Sequence, residues 1–338
     1  MVYSKTIVKF WKRFAVLLSA VLLLCMGCST IPSTSSNPWQ VITLPTKANL
    51  LDLAFTGNSE HGWLVGSEAT LFETKDAGNT WKQVGLDLDD PRYRLSSISF
   101  SGNEGWIVGQ PSLILHTEDE GKSWTRIPLS SKLPGSPSSI AAIGAGSAEL
   151  TTDVGAIYKT TDGGKTWKAL VDDAFGVVRN ITRSRDGKYI AVSSQGSFYA
   201  IWEPGQNNWN PYNRNSSRRL QSMGFGLDGR LWMLERGGQV QFSDPQNLGE
   251  WGKPFKPDRA ASWGLLDLAY RTPKEIWVAG GSGNLLSSVD GGNTWQKDRD
   301  VENVPANLYK ILFLTSEQGF IIGQNGILLK YQGSAQAA

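Results

Sequence analysis

Thr160-Thr161-Asp162-Gly163-Gly164-Lys165-Thr166-Trp167 is the stretch whose reading decides the fold. It returns as Thr74-Lys75-Asp76-Ala77-Gly78-Asn79-Thr80-Trp81, as Thr117-Glu118-Asp119-Glu120-Gly121-Lys122-Ser123-Trp124, and as Ser288-Val289-Asp290-Gly291-Gly292-Asn293-Thr294-Trp295. All fit Ser/Thr-x-Asp-x-Gly-x-Thr/Ser-Trp, the Asp-box pattern. Its chemistry is that of a tight turn between strands: Asp accepts hydrogen bonds from nearby backbone amides, Gly supplies a positive φ, and Trp opens the next strand beneath the turn. Recurrence of such a unit signals a repeat architecture.

Trp81, Trp124, Trp167, Trp209, Trp251 and Trp295 lie 43, 43, 42, 42 and 44 residues apart. The turns before Trp209 and Trp251 are degenerate, the first having lost its Asp and the second keeping little beyond Ser243-Asp244-Pro245. A second series of buried-strand signals runs from Gly62-Trp63-Leu64-Val65-Gly66 to Gly319-Phe320-Ile321-Ile322-Gly323 and counts seven. A third series of apolar strands precedes it, from Leu51–Phe55 to Tyr309–Phe313. Each period therefore predicts four short strands, lettered A to D from the centre outward, with the Asp-box as the C–D turn. Four strands per period of this length are the signature of a β-propeller blade. The seventh period stops at its C strand, Gly326–Tyr331, while a surplus D strand, Trp39–Leu44, stands before the first. The prediction is an all-β, seven-bladed propeller over residues 39–333, closed by its first strand, which removes an exposed edge.

Residues 1–27 read as a leader. Lys5, Lys9, Lys12 and Arg13 form a positive region, followed by an apolar stretch from Phe14 to about Met26. Gly27-Cys28 resembles the end of a bacterial lipobox, which makes Cys28 the expected lipidation site and mature N-terminus, although Cys25 stands where that motif has Leu. With Cys28 lipidated, no free thiol remains for a disulfide, a metal or a nucleophile. Removing four basic and no acidic residues from a chain of 33 basic and 31 acidic leaves a net charge of −2. The whole-chain excess of basic residues is thus no argument for nucleic-acid binding. Residues 28–38 read as a Ser/Thr/Pro-rich tether and 334–338 as a disordered tail.

Catalytic signals are poor. Asp76, Asp119, Asp162 and Asp290, one per blade, cannot meet in one pocket and lack the run of oxygen ligands of a calcium loop. His61 and His116 are lone and far apart, which disfavours a zinc site or a triad. Gly237-Gly238 and Gly280-Gly281 read as B–C turns rather than phosphate loops. Arginines are the exception. In a propeller, A–B and C–D turns share one face and B–C and D–A turns the other. Arg214, Arg218 and Arg219 lie in the D–A connection between blades four and five, Arg179 enters the A strand of blade four, and Arg236 sits in the B–C turn of blade five. These are expected to converge on the face opposite the Asp-boxes. Arg183 lies deeper in its strand, and Arg185 and Arg230 belong to the other face. Such a cluster on an acidic chain asks for a carboxylate partner, since Arg offers a bidentate fork; Glu203 and Glu235 are the nearest internal candidates.

The lipobox, the seven units, Val178-Arg179-Asn180-Ile181, the segment Asn213–Gln221 and Leu231–Gly238 resemble the photosystem II assembly and stability factors of cyanobacteria and chloroplasts. The similarity covers essentially the whole mature chain. It implies a non-enzymatic, cofactor-free lipoprotein, monomeric, on the lumenal side of the thylakoid membrane. Its partners would be the precursor of the photosystem II reaction-centre subunit and early assembly complexes. The family's arginine patch carries over to Arg179, Arg183, Arg214, Arg218, Arg219 and Arg236. Two other classes compete. A sialidase-type glycosidase shares the Asp-box and would need acid/base carboxylates and a Tyr nucleophile, for which only Glu235 and Tyr199 can be nominated. A pigment or cofactor carrier is disfavoured by the scarcity of His.

Overall fold

In blade one the strands Leu50–Phe55, Gly62–Gly66, Leu71–Thr74 and Lys82–Gln83 pair antiparallel in that order, as the A to D lettering requires. The computed structural model describes residues 37–333 apart from 131, 215, 258–263, 299–300 and 302–303, and the same arrangement repeats around a seven-bladed propeller within Pro38–Gly333. The leader, Cys28, most of the tether and the tail lie outside the described residues. The B strands are covered by neighbouring blades on both sides, which is why they read as continuous apolar runs. Gly62–Gly66, Tyr189–Ser193, Ile276–Gly280 and Gly319–Gly323 are buried along their whole length. Trp63 and Trp106, on B strands, are among the largest fully buried side chains, whereas the Trp that closes each Asp-box is half-buried at the rim. Among the described residues the one helical element is a 3-10 turn at Gly281–Gly283, between B and C strands where the Gly pair predicted a turn.

Trp39–Thr43 closes the ring, pairing with Ile327–Tyr331 from Trp39↔Tyr331 to Thr43↔Ile327. Trp39 anchors this strand in an aromatic cluster with Trp277, Phe313 and Tyr331, at centroid distances of 5.4, 5.7 and 5.3 Å. Gln332 N donates to Pro38 O at 2.7 Å, so the chain enters the propeller beside Tyr331, at the Asp-box end of the C strand.

The expectation of four strands in every blade fails at blade five. There Leu220–Phe225, Leu231–Glu235 and Gln239–Phe242 form a three-stranded sheet, and the fourth strand is reduced to the isolated bridges Val240↔Phe255 and Ser243↔Trp251. Asp244 accounts for this. Its Oδ1 accepts from the amides of Gln246 and Asn247 at 2.7 and 3.1 Å, curling the chain into a local turn where an Asp-box would launch a strand.

The intact boxes share one geometry. Asp162 Oδ1 accepts from Thr166 N at 2.9 Å and Oδ2 from the Thr166 hydroxyl at 2.6 Å, while Gly164 N donates to Thr160 Oγ1 at 3.0 Å. These bonds, the Ser123 and Thr294 hydroxyls foremost in their boxes, hold Asp119, Asp162 and Asp290 at about 2. They are used up inside the turn. The box glycine has a second duty. A Cβ on Gly121 would lie 2.5 Å from the Trp63 ring of blade one, and one on Gly78 would lie 2.6 Å from Phe320 of blade seven. Each turn thus presses its backbone on an aromatic of the preceding blade. Gly121, at φ +89°, combines that contact with a left-handed backbone. Gly121→Ala is expected to cost about 2–4 kcal/mol, read as a lower denaturation midpoint at unchanged slope.

Every A strand also slips register near its start, at Leu50/Asp52, Leu95/Ser97, Pro137/Ser139, Val178/Asn180, Leu220/Ser222, Leu265/Asp267 and Leu308/Lys310, and that of blade three slips again at Ala142/Gly144. In every blade but the fifth this early bulge turns a residue into the lining of the axial channel, and in all seven it leaves a polar residue behind it. Asp52 Oδ2 accepts from Ile98 N at 3.1 Å, Asn180 Oδ1 from Met223 N at 3.1 Å and Asp267 Oδ2 from Ile311 N at 3.0 Å, each bond reaching the next blade. Lys310 Nζ to Asp52 Oδ1, at 2.5 Å, joins the last blade to the first.

Candidate functional site

Three turns and one strand end bring the arginines together on the face opposite the Asp-boxes. Arg179 is the bulged residue of its A strand, and its Nη2 donates to Ser194 O in the B–C turn of blade four at 2.7 Å. In that same turn Gly196, at φ +71°, receives the Arg219 backbone so closely that a Cβ would stand 2.9 Å from the Arg219 Cβ. Leu220 N bonds Gly196 O and Arg236 N bonds Arg219 O, both at 2.9 Å, which clamps the D–A connection between the two B–C turns. Arg218 lies over Gly237, whose φ of +94° places the turn beneath the guanidinium. Burial first, then the charges of Arg236 and Arg219, push the Arg179 guanidinium below the usual arginine range. Arg218, Arg219 and Arg236 are exposed, and none has a carboxylate partner among the described residues. The like charges are held close by backbone geometry, and that arrangement favours a bound anion.

Arg214 and Arg183 differ. Arg214 is buried against Glu235, with side chains 8% and 3% exposed, and its Nη1 holds Arg218 O at 2.6 Å. Its charge is therefore neutralised, and its place is beneath the patch as the prop of the 218–219 loop. Glu235 is the internal partner that the sequence nominated; Glu203 instead pairs with Lys188 at 3.0 Å. Arg183 lies at the far end of its A strand, beside the A–B turn, where Nε donates to Glu149 Oε2 of blade three at 2.8 Å. The strand runs through the propeller from one face to the other, so residues 179 and 183 cannot share a face. Arg183 lines a recess with Arg185 and Arg230 on the Asp-box side.

No cluster of His, Cys, Asp and Glu suited to a metal exists among the described residues. His61 Nε2 is bonded to Glu73 at 2.9 Å and His116 Nε2 to Glu104 at 2.7 Å, both as strand-packing groups. The two groups nominated for a glycosidase are engaged elsewhere: Glu235 holds Arg214, and the buried Tyr199 hydroxyl accepts from Trp251 Nε1 at 3.1 Å. No described helix is long and apolar enough to cross a membrane.

Sequence reading missed the channel beside the patch. Asn49, Arg94, Ser138, Arg179, Asp267 and Lys310 are among the residues lining a cavity of about 510 Å³ on the axis. Its only sequence signal is a polar residue before an apolar one in each A strand: Asp52-Leu53, Ser97-Ile98, Ser139-Ile140, Asn180-Ile181, Ser222-Met223, Asp267-Leu268 and Lys310-Ile311. Burial, opposed by the Ile311 amide and Lys310, raises the Asp267 carboxyl to about 6. A folded-state value above the ordinary one means that ionised Asp267 opposes folding above that pH, and the penalty fades as pH falls through it. Because its carboxylate also touches channel solvent, Asp267→Asn is expected to stabilise by no more than about 1–2 kcal/mol above pH ~7, with little of that gain left near pH ~3.5, below the ordinary carboxylate value. Thermal melts at the two pH values check this.

A seven-bladed propeller with a preassembled basic face is the class of protein that this geometry defines. Residues 31–332 match the model of the family described as photosynthesis system II assembly factor YCF48, and the chain belongs to that family. It is 65% identical over 329 residues, 97% of this chain and 96% of the relative, to the photosystem II assembly lipoprotein Ycf48 of Trichormus variabilis. It is 64% identical over 323 residues, 96% and 94% of the two chains, to the protein of the same name from Synechocystis. A solved structure described as YCF48 bound to D1 peptide superposes with a TM-score of 0.85 at 58% identity, covering 88% of this chain and 97% of that one.

Proposed function

We propose that this protein is a non-enzymatic photosystem II assembly factor that docks an acidic segment of the newly made reaction-centre subunit on its arginine face. The observation that carries the reading is the set of exposed guanidiniums of Arg218, Arg219 and Arg236, unpaired among the described residues, around the half-buried Arg179, held together by backbone bonds rather than by counter-charges. The D1 peptide on a relative 58% identical supports the partner class. Arg214 acts as the prop of this face and Arg183 as a strut between blades three and four. The lipoprotein names of the relatives, together with Gly27-Cys28, support a lipid anchor at Cys28 and a station on the lumenal side of the thylakoid membrane. Titration of an acidic peptide at rising salt tests the reading: affinity is expected to fall steeply as screening grows. Unchanged affinity at moderate salt would overturn it.

A further inference from the structure

We propose that the mouth of the axial channel is a second binding site, one that takes a single carboxylate between Arg94 and Arg179. It rests on the reading of the arginine face as a docking surface and extends that surface inward to the propeller axis.

Arg94 opens the A strand of blade two, two blades away from Arg179, and faces the same end of the channel because both stand where an A strand begins. It is exposed and makes no ion pair or side-chain hydrogen bond among the described residues. Arg179 is the only charged residue among the bulge residues Leu51, Ser96, Ser138, Arg179, Leu266 and Tyr309 that the slips turn into the mouth. Its Nη2 is engaged by Ser194, but among the described residues Nη1 has no polar partner and Nε is buried without one. The acidic groups nearby are already occupied. Asp153 Oδ1 accepts from Ser136 N at 2.8 Å, and Glu235 holds Arg214.

Depth is set by the floor. Asp52 is bridged by Lys310 and also accepts from the Ser97 hydroxyl at 2.9 Å, and Asp267 stands beside them. These carboxylates repel an anion from the interior, so an entering carboxylate stops at the rim, where the cations are. The Ser138 hydroxyl at the same level is a further donor for it. An aqueous recess with unpaired guanidiniums at its lip and anions at its base is built for one negative group on a narrow chain. Bidentate capture by arginine is the chemistry expected there.

The test uses the purified full chain and a synthetic peptide rich in Glu and Asp, made with a free or an amidated C-terminus. Arg94→Ala is expected to weaken binding by about ten-fold, the loss of one charged hydrogen-bonding partner, with an unchanged melt because the Arg94 side chain is exposed and holds no other group in place. Ser138→Phe, which fills the mouth without changing charge, is expected to produce a similar loss, and Leu51→Phe repeats the plug from blade one. Wild-type affinity in the plugged variants overturns the channel site, whether or not Arg94→Ala has an effect, since long-range attraction alone would then explain Arg94. The double reversal Arg218→Glu/Arg219→Glu separates the two readings. If it abolishes binding while plugs do nothing, the arginine face stands and the channel falls; if it does nothing, the face itself falls. Amidation names the source of the carboxylate in plug-sensitive binding. Loss on amidation assigns it to the chain end, and retention assigns it to a Glu or Asp side chain, either outcome upholding the site.

Discussion

Converting Arg218 and Arg219 to glutamate is expected to abolish binding of an acidic partner segment while the thermal melt stays near that of the parent. Both side chains are exposed and have no carboxylate partner among the described residues, so reversal breaks no internal ion pair. Each hydrogen bond to a charged group is worth about 1.5–3 kcal/mol at a site of this kind, so removing two weakens affinity by about 100-fold or more. Reversal adds repulsion on top of that. Arg214 behaves oppositely. Arg214→Ala leaves the buried Glu235 carboxylate without its partner and is expected to destabilise the protein by about 3–5 kcal/mol. A pull-down from thylakoids with parent and reversed protein checks the first expectation and identifies the partners that no longer bind. Recovery of the same partners by the reversed protein would remove the arginine face from the account.

Trp39→Ala is expected to cost as much stability as Arg214→Ala, and it does so at the closure of the ring. Trp39 is 3% exposed, and it packs edge-on to Trp277 and Tyr331 in the strand that joins the start of the propeller to its last blade. Truncating a buried Trp costs about 3–5 kcal/mol, which lowers the melting point by on the order of 10 °C in a protein of this size. The location adds a kinetic signature. Pairing of Trp39 with Tyr331 closes the longest loop in the chain, so it forms late in folding, and its removal falls mainly on the unfolding rate. A Trp39→Ala protein that unfolds no faster than the parent would show that closure does not hold the ring.

Blade number, closure by the first strand and the face of the patch were legible because each depends on spacing. A Trp every 42 to 44 residues counts blades directly, and topology then assigns turns to faces. Pairing was less legible. Nothing in the run Val178–Arg183 says that residues 179 and 183 emerge on opposite faces except the length of strand between them, and the family resemblance grouped them. Arg214 looked like its neighbours Arg218 and Arg219, and only its burial against Glu235 separates a prop from a docking residue. Arg94 was invisible because it stands far in sequence from the arginine cluster of blades four and five, and its role depends on a channel that seven separated strands create. The missing fourth strand of blade five left a clue in Ser243-Asp244-Pro245, where the Asp survives but the Gly and Thr that would turn it into a box do not.

The closing strand enters at Pro38, bonded to Gln332 beside Tyr331, on the Asp-box side of the ring. Residue 38 and the basic patch therefore lie on opposite faces of the propeller, and the strand that locks the ring leaves the arginines and the channel mouth uncovered.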